Sequence, residues 1–125
     1  MKGFLKKNAH AVVPIEELTL QNTEFRHVYS TTQQQQLVFM ALQPGEDIGL
    51  ETHLFTTQFI RIEQGHGMVV LNGKKSAIKE GDSVTIPAGT EHNVINLSER
   101  TTLKLYTIYA PPIHNPGEIE EEKTV

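Results

Sequence analysis

This chain of 125 residues has no cysteine and sets 11 Lys and Arg against 15 Asp and Glu, for a net charge of −4. That balance excludes disulfides and thiolate metal ligands and argues against a basic nucleic-acid-binding face. Its length suits one domain with its own core, and 38% hydrophobic with 21% charged residues is an ordinary globular composition.

In chain order, Met1 to Asn8 carries lysines with no apolar run behind them, so no secretory signal is expected. No apolar stretch approaches the about 20 residues of a membrane helix. The expectation is a cytoplasmic protein with neither membrane nor nucleic acid as partner. Ile15–Leu18, after Pro14, is read as a helical turn, and the glutamine run Gln33–Gln36 as a polar hairpin tip. Short apolar runs then recur between turn signals, which predicts strands at Leu37–Leu42, Leu50–Leu54, Gln58–Glu63, Gly67–Leu71, Ser76–Ile78, Ser83–Ile86, His92–Asn96 and Leu103–Tyr109. Asn72-Gly73 is a two-residue hairpin signal, because a type I′ turn needs positive φ at both central positions. Pro111-Pro112 stops the last strand, and Glu118–Val125 is an acidic tail read as a mobile or wrapping arm. Many short strands with glycine-rich turns point to an all-β sandwich or barrel. The expected layout is a single domain over 1–125, with a core at about 37–110 between an N-terminal arm and the tail.

Two spaced motifs carry the chemistry. The first is Gly45-(x)5-Glu51-x-His53-(x)4-Gln58-(x)6-Gly65, and the second is Gly81-(x)5-Pro87-x-Gly89-(x)2-His92-(x)3-Asn96. Glu51 and His53, at i and i+2 of a strand, share a face. Gln58 opens the next strand with Ile60 and Ile62 on its side, and His92 follows the rigid Pro-x-Gly turn. Polar side chains among Ile and Val are costly unless satisfied, and one cation satisfies all four at once. The candidate metal ligands are therefore Glu51, His53, Gln58 and His92. Two imidazoles and a carboxylate with open positions suit zinc or a non-haem iron centre. The alternative is a metal-free polar pocket. For Gln58 the alternative is a hydrogen bond that orients a bound water or substrate.

His10, His27 and His66 are read as surface residues and His114 as part of a solvated loop, with approach to the barrel mouth as its alternative. Arg61 has outer-face parity. So do Phe59 and Tyr106, whose aromatic rings suggest a subunit contact.

The second motif matches that of the cupin superfamily at every specified position, through Gly81, Pro87, Gly89, His92 and Asn96. The first keeps the family's spacing with Gly45, His53 and Gly65, but Glu51 stands where a histidine is usual and Gln58 where a glutamate is usual. The exchange conserves charge, leaving a divalent ion with a net charge of about +1. Through Phe59–Glu63, Val84–Asn96 and Leu103–Pro112 the chain resembles small single-domain cupins of the mannose-6-phosphate isomerase-like kind. The resemblance implies a cupin double-stranded β-helix, or jelly-roll barrel. It also implies a divalent metal ion (Zn, Fe, Mn or Ni), a small oxygenated or carbohydrate-like ligand, and a homodimer. Isomerase-like chemistry is the leading expectation; a non-haem Fe(II) dioxygenase and a non-catalytic small-molecule-binding module are the alternatives. No cluster of Lys and Arg near the motifs forms a phosphate clamp.

Overall fold

The computed structural model describes residues 11–124; His10 and the rest of the N-terminal ten residues, and Val125, lie outside them. A short helix, α1 (Ile15–Gln21), precedes nine strands: β1 (Arg26–Thr31), β2 (Gln36–Leu42), β3 (Thr57–Gln64), β4 (His66–Leu71), β5 (Lys74–Lys79), β6 (Ser83–Ile86), β7 (His92–Asn96), β8 (Leu103–Ala110) and β9 (Ile119–Glu120). All pair antiparallel, in one sheet of order β6-β3-β8-β2-β1-β9 and a second of order β5-β4-β7. The two sheets face one another in a jelly-roll arrangement.

Register decides what fills the interior. Directly opposite residues of an antiparallel pair share a face. Across β2, β8 and β3, the matched rows are Gln36–Tyr109–Gln58, Val38–Thr107–Ile60 and Met40–Leu105–Ile62. All nine are buried. From these strands Val38, Met40, Ile60, Ile62, Leu105 and Tyr109 join the hydrophobic core, to which Val69, Ile78, Val84, Ile86 and Val94 contribute from the other strands. One end of the interior is therefore aliphatic, and the end marked by the Gln36–Tyr109–Gln58 row is polar.

The eight strand expectations hold except one. Leu50–Leu54 makes only isolated bridges around it, Asp47 with Ile95 and Glu51 with His92. Its alternation survives without a ladder: Leu50 and Leu54 are 64% and 68% exposed, while Glu51 and His53 turn inward. Two strands escaped the sequence reading. β1 is polar outside Val28, and β9 is two residues long, held to β1 by Arg26 opposite Glu120 and His27 opposite Ile119. The acidic tail is thus a wrapping arm. The Asn72-Gly73 turn has φ of 48° and 81°, as a type I′ hairpin requires. Gln33 to Gln35 form the exposed tip, but Gln36 is fully buried. His27 is not a free surface residue; it packs edge-on against Tyr29 and Phe39.

Gly67 on β4 lies against the neighbouring strand β7, and a Cβ there would overlap the carbonyl oxygen of Ile95. Gly67→Ala should lower the unfolding free energy by about 2 kcal/mol or more, since backbone must shift to admit it. Gly81→Ala meets open space and only a positive φ of 88°, so its cost should be smaller, about 1 kcal/mol. Urea titrations of both variants check the order; a cheaper Gly67→Ala would contradict this packing.

Candidate metal centre

Two backbone hydrogen bonds bring the motifs together. Glu51 N–H donates to the His92 carbonyl at 2.9 Å, and His92 N–H donates to the Glu51 carbonyl at 2.8 Å. Gly89 N–H then donates to the His53 carbonyl at 2.8 Å, which fastens the Pro-x-Gly turn to the first motif. Gly89 takes φ of 84°, a conformation glycine adopts without penalty. Segments about 40 residues apart in sequence thereby present their side chains to one point.

Glu51, His53 and His92 each offer a ligand atom, and these atoms lie within 4.8 Å of one another. Donors around one zinc-like ion at about 2.1 Å sit about 3–4 Å apart, so a small inward movement closes the set. Nε2 of His53 is 3.9 Å from Glu51 Oε1, and the two imidazole rings lie 5.1 Å apart. His92 Nδ1 lies 2.8 Å from the Thr90 carbonyl, which only accepts, so Nδ1 is the donor there and Nε2 is the nitrogen turned to the cluster. Burial lowers the pKa of His53, and neighbouring His92 lowers it further against the opposing pull of the Glu51 carboxylate. A neutral imidazole is the form that ligates. Nε2 of both histidines is buried without a hydrogen-bond partner. Such orphans are rare in folded proteins, and a cation resolves both. The residues fit a divalent ion.

Gln58, the fourth candidate, is 2% exposed and opposite Tyr109 in the register. Its Nε2 donates to Thr107 Oγ1 at 3.0 Å, and its Oε1 is buried without a partner. Asn96, by contrast, is fully engaged. It donates to the carbonyls of Leu42 and Thr101 and accepts from Ser98 N–H, so its work is to pin the strand end.

His114 departs from expectation. Rather than standing in solvent, it is half-buried with its ring edge-on to Tyr109 at 5.1 Å, and the same Tyr109 ring meets His53 at 5.8 Å. Gln36 holds it there, donating to the His114 carbonyl at 2.8 Å and accepting from His114 N–H at 3.0 Å. Sequence reasoning also missed Arg26. It sits opposite Met40, on the interior face with Val28, and its Nη1 donates to Glu120 Oε1 at 2.7 Å. Its signal was available only as a basic residue in a segment too polar to read as a strand. Arg61 faces outward as expected and pairs with Glu63 at 3.6 Å.

Burial pushes His114 from 6.5 down to about 4, with Arg26 the next contributor. Between those values the unfolded chain binds more protons than the folded one. The stabilisation is therefore complete above about 6.5 and is lost as the pH falls toward about 4. The melting temperature of metal-free protein should drop across that window, with His53 shifted in the same direction. His114→Phe should make the drop shallower; an unchanged profile would contradict burial of a neutral His114.

The Cupin domain family model matches residues 38–109. The chain is 48% identical over 118 residues to protein L612 of Acanthamoeba polyphaga mimivirus, covering 91% of this chain and 73% of that protein. It is 45% identical over 118 residues to protein YrkC of Bacillus subtilis, covering 90% of this chain but 63% of the relative's length. Among solved structures, BH2720 from Bacillus halodurans superposes with a TM-score of 0.85 at 42% identity, covering 88% of this chain and 87% of that one. A predicted oxalate decarboxylase from Thermotoga maritima superposes at 0.60 with 28% identity, covering 64% of this chain and 69% of that one. Among the described residues, no helix is long and apolar enough to cross a membrane. With a family match over more than half its length and a relative this similar across nearly all of it, the chain belongs to the cupins.

Proposed function

We propose that this protein is a divalent-metal-binding cupin in which Glu51, His53 and His92 hold the ion and a small oxygenated ligand completes its coordination. The observation that carries the reading is the pair of buried, unpartnered imidazole nitrogens beside a carboxylate. When bound, such an ion supplies Lewis acidity toward a ligand oxygen. The chain's own residues do the rest. Glu51, with its side chain 35% exposed, lies at the solvent side of the cluster, within reach of an entering ligand. Tyr109 walls the interior side; its phenol is held neutral because burial pushes its pKa well up. Gln58 presents a neutral amide oxygen beside it, too weak a donor to fill the coordination sphere as a glutamate would.

This arrangement supports carbonyl polarisation of the isomerase-like kind. The two-histidine, one-carboxylate set also favours a second reading, an Fe(II) dioxygenase. Oxygen uptake on adding Fe(II) and substrate separates them, since isomerisation consumes none. The oxalate decarboxylase assignment of the Thermotoga relative is in keeping with small oxygenated ligands. Phe59 and Tyr106, half-buried on the outer face with ring centroids 6.4 Å apart, are proposed as a homodimer contact. Light scattering should give about twice the 14.0 kDa chain mass, and a monomer at micromolar concentration would rule that contact out.

Elemental analysis of protein purified without added metal should find about one divalent ion per chain, and His53→Ala or His92→Ala should abolish it. Full retention in both variants would refute the site. Gln58→Ala should weaken metal binding less than Glu51→Ala, and Gln58→Glu should tighten it, because a carboxylate binds more strongly than an amide oxygen. Equal losses in Gln58→Ala and Glu51→Ala would make Gln58 a full ligand and close the open position.

A further inference from the structure

The outer side of the large sheet holds a cavity of about 220 Å³, lined from the end of α1 and from β1 and β2 by residues that include Leu18, Asn22, Glu24, His27, Tyr29 and Phe39. The register places it across the sheet from the core: His27 is opposite Phe39, while the adjacent Val28 and Val38 are opposite one another and belong to the core. The β1 ladder shifts between Val28 and Ser30, leaving Tyr29 without a residue opposite. Such a bulge re-aims a side chain. The Tyr29 ring lies 5.2 Å from Phe39 and 5.9 Å from His27, and His27 lies 6.3 Å from Phe39. Their planes are inclined by 62°, 65° and 78°, so the three rings make angled walls and not a stack.

Glu24 is half-buried at the same cavity. Its backbone is pinned three times. Asn22 Nδ2 donates to the Glu24 carbonyl at 2.9 Å, Asn22 Oδ1 accepts from Glu24 N–H at 3.3 Å, and Ala41 N–H donates to the same carbonyl at 3.1 Å. Its carboxylate, by contrast, has no ion pair among the described residues. No Lys or Arg among them lines the cavity. The nearby Lys104 ammonium is given to the Leu20 carbonyl, and Arg26 to Glu120.

We infer that this cavity is a second binding site, for a small dissolved organic cation of the methylated-ammonium class, with His27, Tyr29 and Phe39 as its aromatic walls and Glu24 as its counter-charge. Nothing in it depends on the metal centre. The faces of aromatic rings carry negative potential and attract a cation, and a fixed carboxylate without a partner adds to that field. An anion would meet the carboxylate with no positive group on the wall to offset it. A bare ammonium is strongly hydrated and would exchange several waters for one carboxylate. A methylated ammonium sheds water more readily and lays its methyl groups against Leu18 and the rings.

The test is an NMR titration of the full chain at about pH 8, above the ordinary imidazole range, with three probes. Choline carries charge and methyl groups, dimethylbutanol is its uncharged carbon isostere, and ethanolamine keeps the amine without the methyl groups. Choline should bind about tenfold or more tightly than either, and should move the ring signals of His27 and Tyr29. Glu24→Gln should bring choline toward the affinity of dimethylbutanol and leave dimethylbutanol itself unchanged. Tyr29→Leu should weaken choline severalfold, whereas Tyr29→Phe, which keeps the ring, should bind it as the wild type does. Glu24 is partly exposed, so Glu24→Gln carries the test if Tyr29→Leu does not fold. Choline no tighter than dimethylbutanol, choline binding undiminished in Glu24→Gln, or shifts confined to residues away from the cavity would each overturn the site. Cosedimentation with phosphatidylcholine vesicles that free choline reverses would overturn the dissolved ligand in favour of a lipid head group.

Discussion

The interior of this barrel is governed by the cost of burying polar groups. The register of β2, β8 and β3 sends every second side chain inward, and along one row those side chains are Gln36, Tyr109 and Gln58. Polar atoms enclosed in this way must find partners or forfeit several kcal/mol to lost hydration. Gln36 finds them in Thr31 and the His114 backbone. Gln58 finds one of two, while His53 and His92 leave their buried Nε2 atoms with none. The aliphatic rows deeper in the barrel provide the stability that tolerates this deficit. Unmet hydrogen-bonding capacity at a mouth above a dry floor is what makes a binding site from a fold.

The rigid frame and the functional atoms come from different kinds of backbone. The strands contribute walls, whereas Glu51 and His53 sit on a segment with isolated bridges only, tied to β7 by the reciprocal Glu51–His92 pair and to the Pro-x-Gly turn by one hydrogen bond. Such a segment adjusts more readily than a paired strand, and closing three ligands around an ion asks for a modest shift. The second-motif histidine is more constrained, on β7 with its Nδ1 directed at the Thr90 carbonyl. One candidate ligand is therefore positioned in advance, and the other two have room to meet it.

Much of this was legible in the sequence because it depends on short-range rules. The alternation of Glu51 and His53, the hairpin at Asn72-Gly73 and the inward parity of Ile60 and Ile62 follow from local geometry and are borne out in the fold. Arg26, Gln36 and His114 were not legible as interior residues because nothing local distinguishes them. Arg26 lies in a mostly polar strand whose partner, Glu120, is 94 residues away, and His114 sits in a proline-rich stretch that reads as solvent-facing. Their placement is settled by long-range pairing, which spacing along the chain does not encode. Leu50–Leu54 failed in the opposite sense, showing strand-like alternation without a ladder.

The C-terminal arm ties two kinds of ion pair to one segment. Near the interior, Arg26 and Glu120 are mostly covered, with side chains 12% and 26% exposed. Further out, Lys123 meets Asp47 where the side chains are 26% and 37% exposed, and Asp47 is held ionised below the usual carboxylate range by Asn93 and Lys123. Dissolved salt screens the outer pair more strongly than the inner one. Rising ionic strength should accordingly loosen the Lys123 contact before it loosens β9. Since Asn93 also hydrogen-bonds the Gly49 amide, loosening of that outer pair reaches the segment that carries Glu51 and His53. The saltiness of the surroundings thus becomes a mechanical input to the mouth of the barrel.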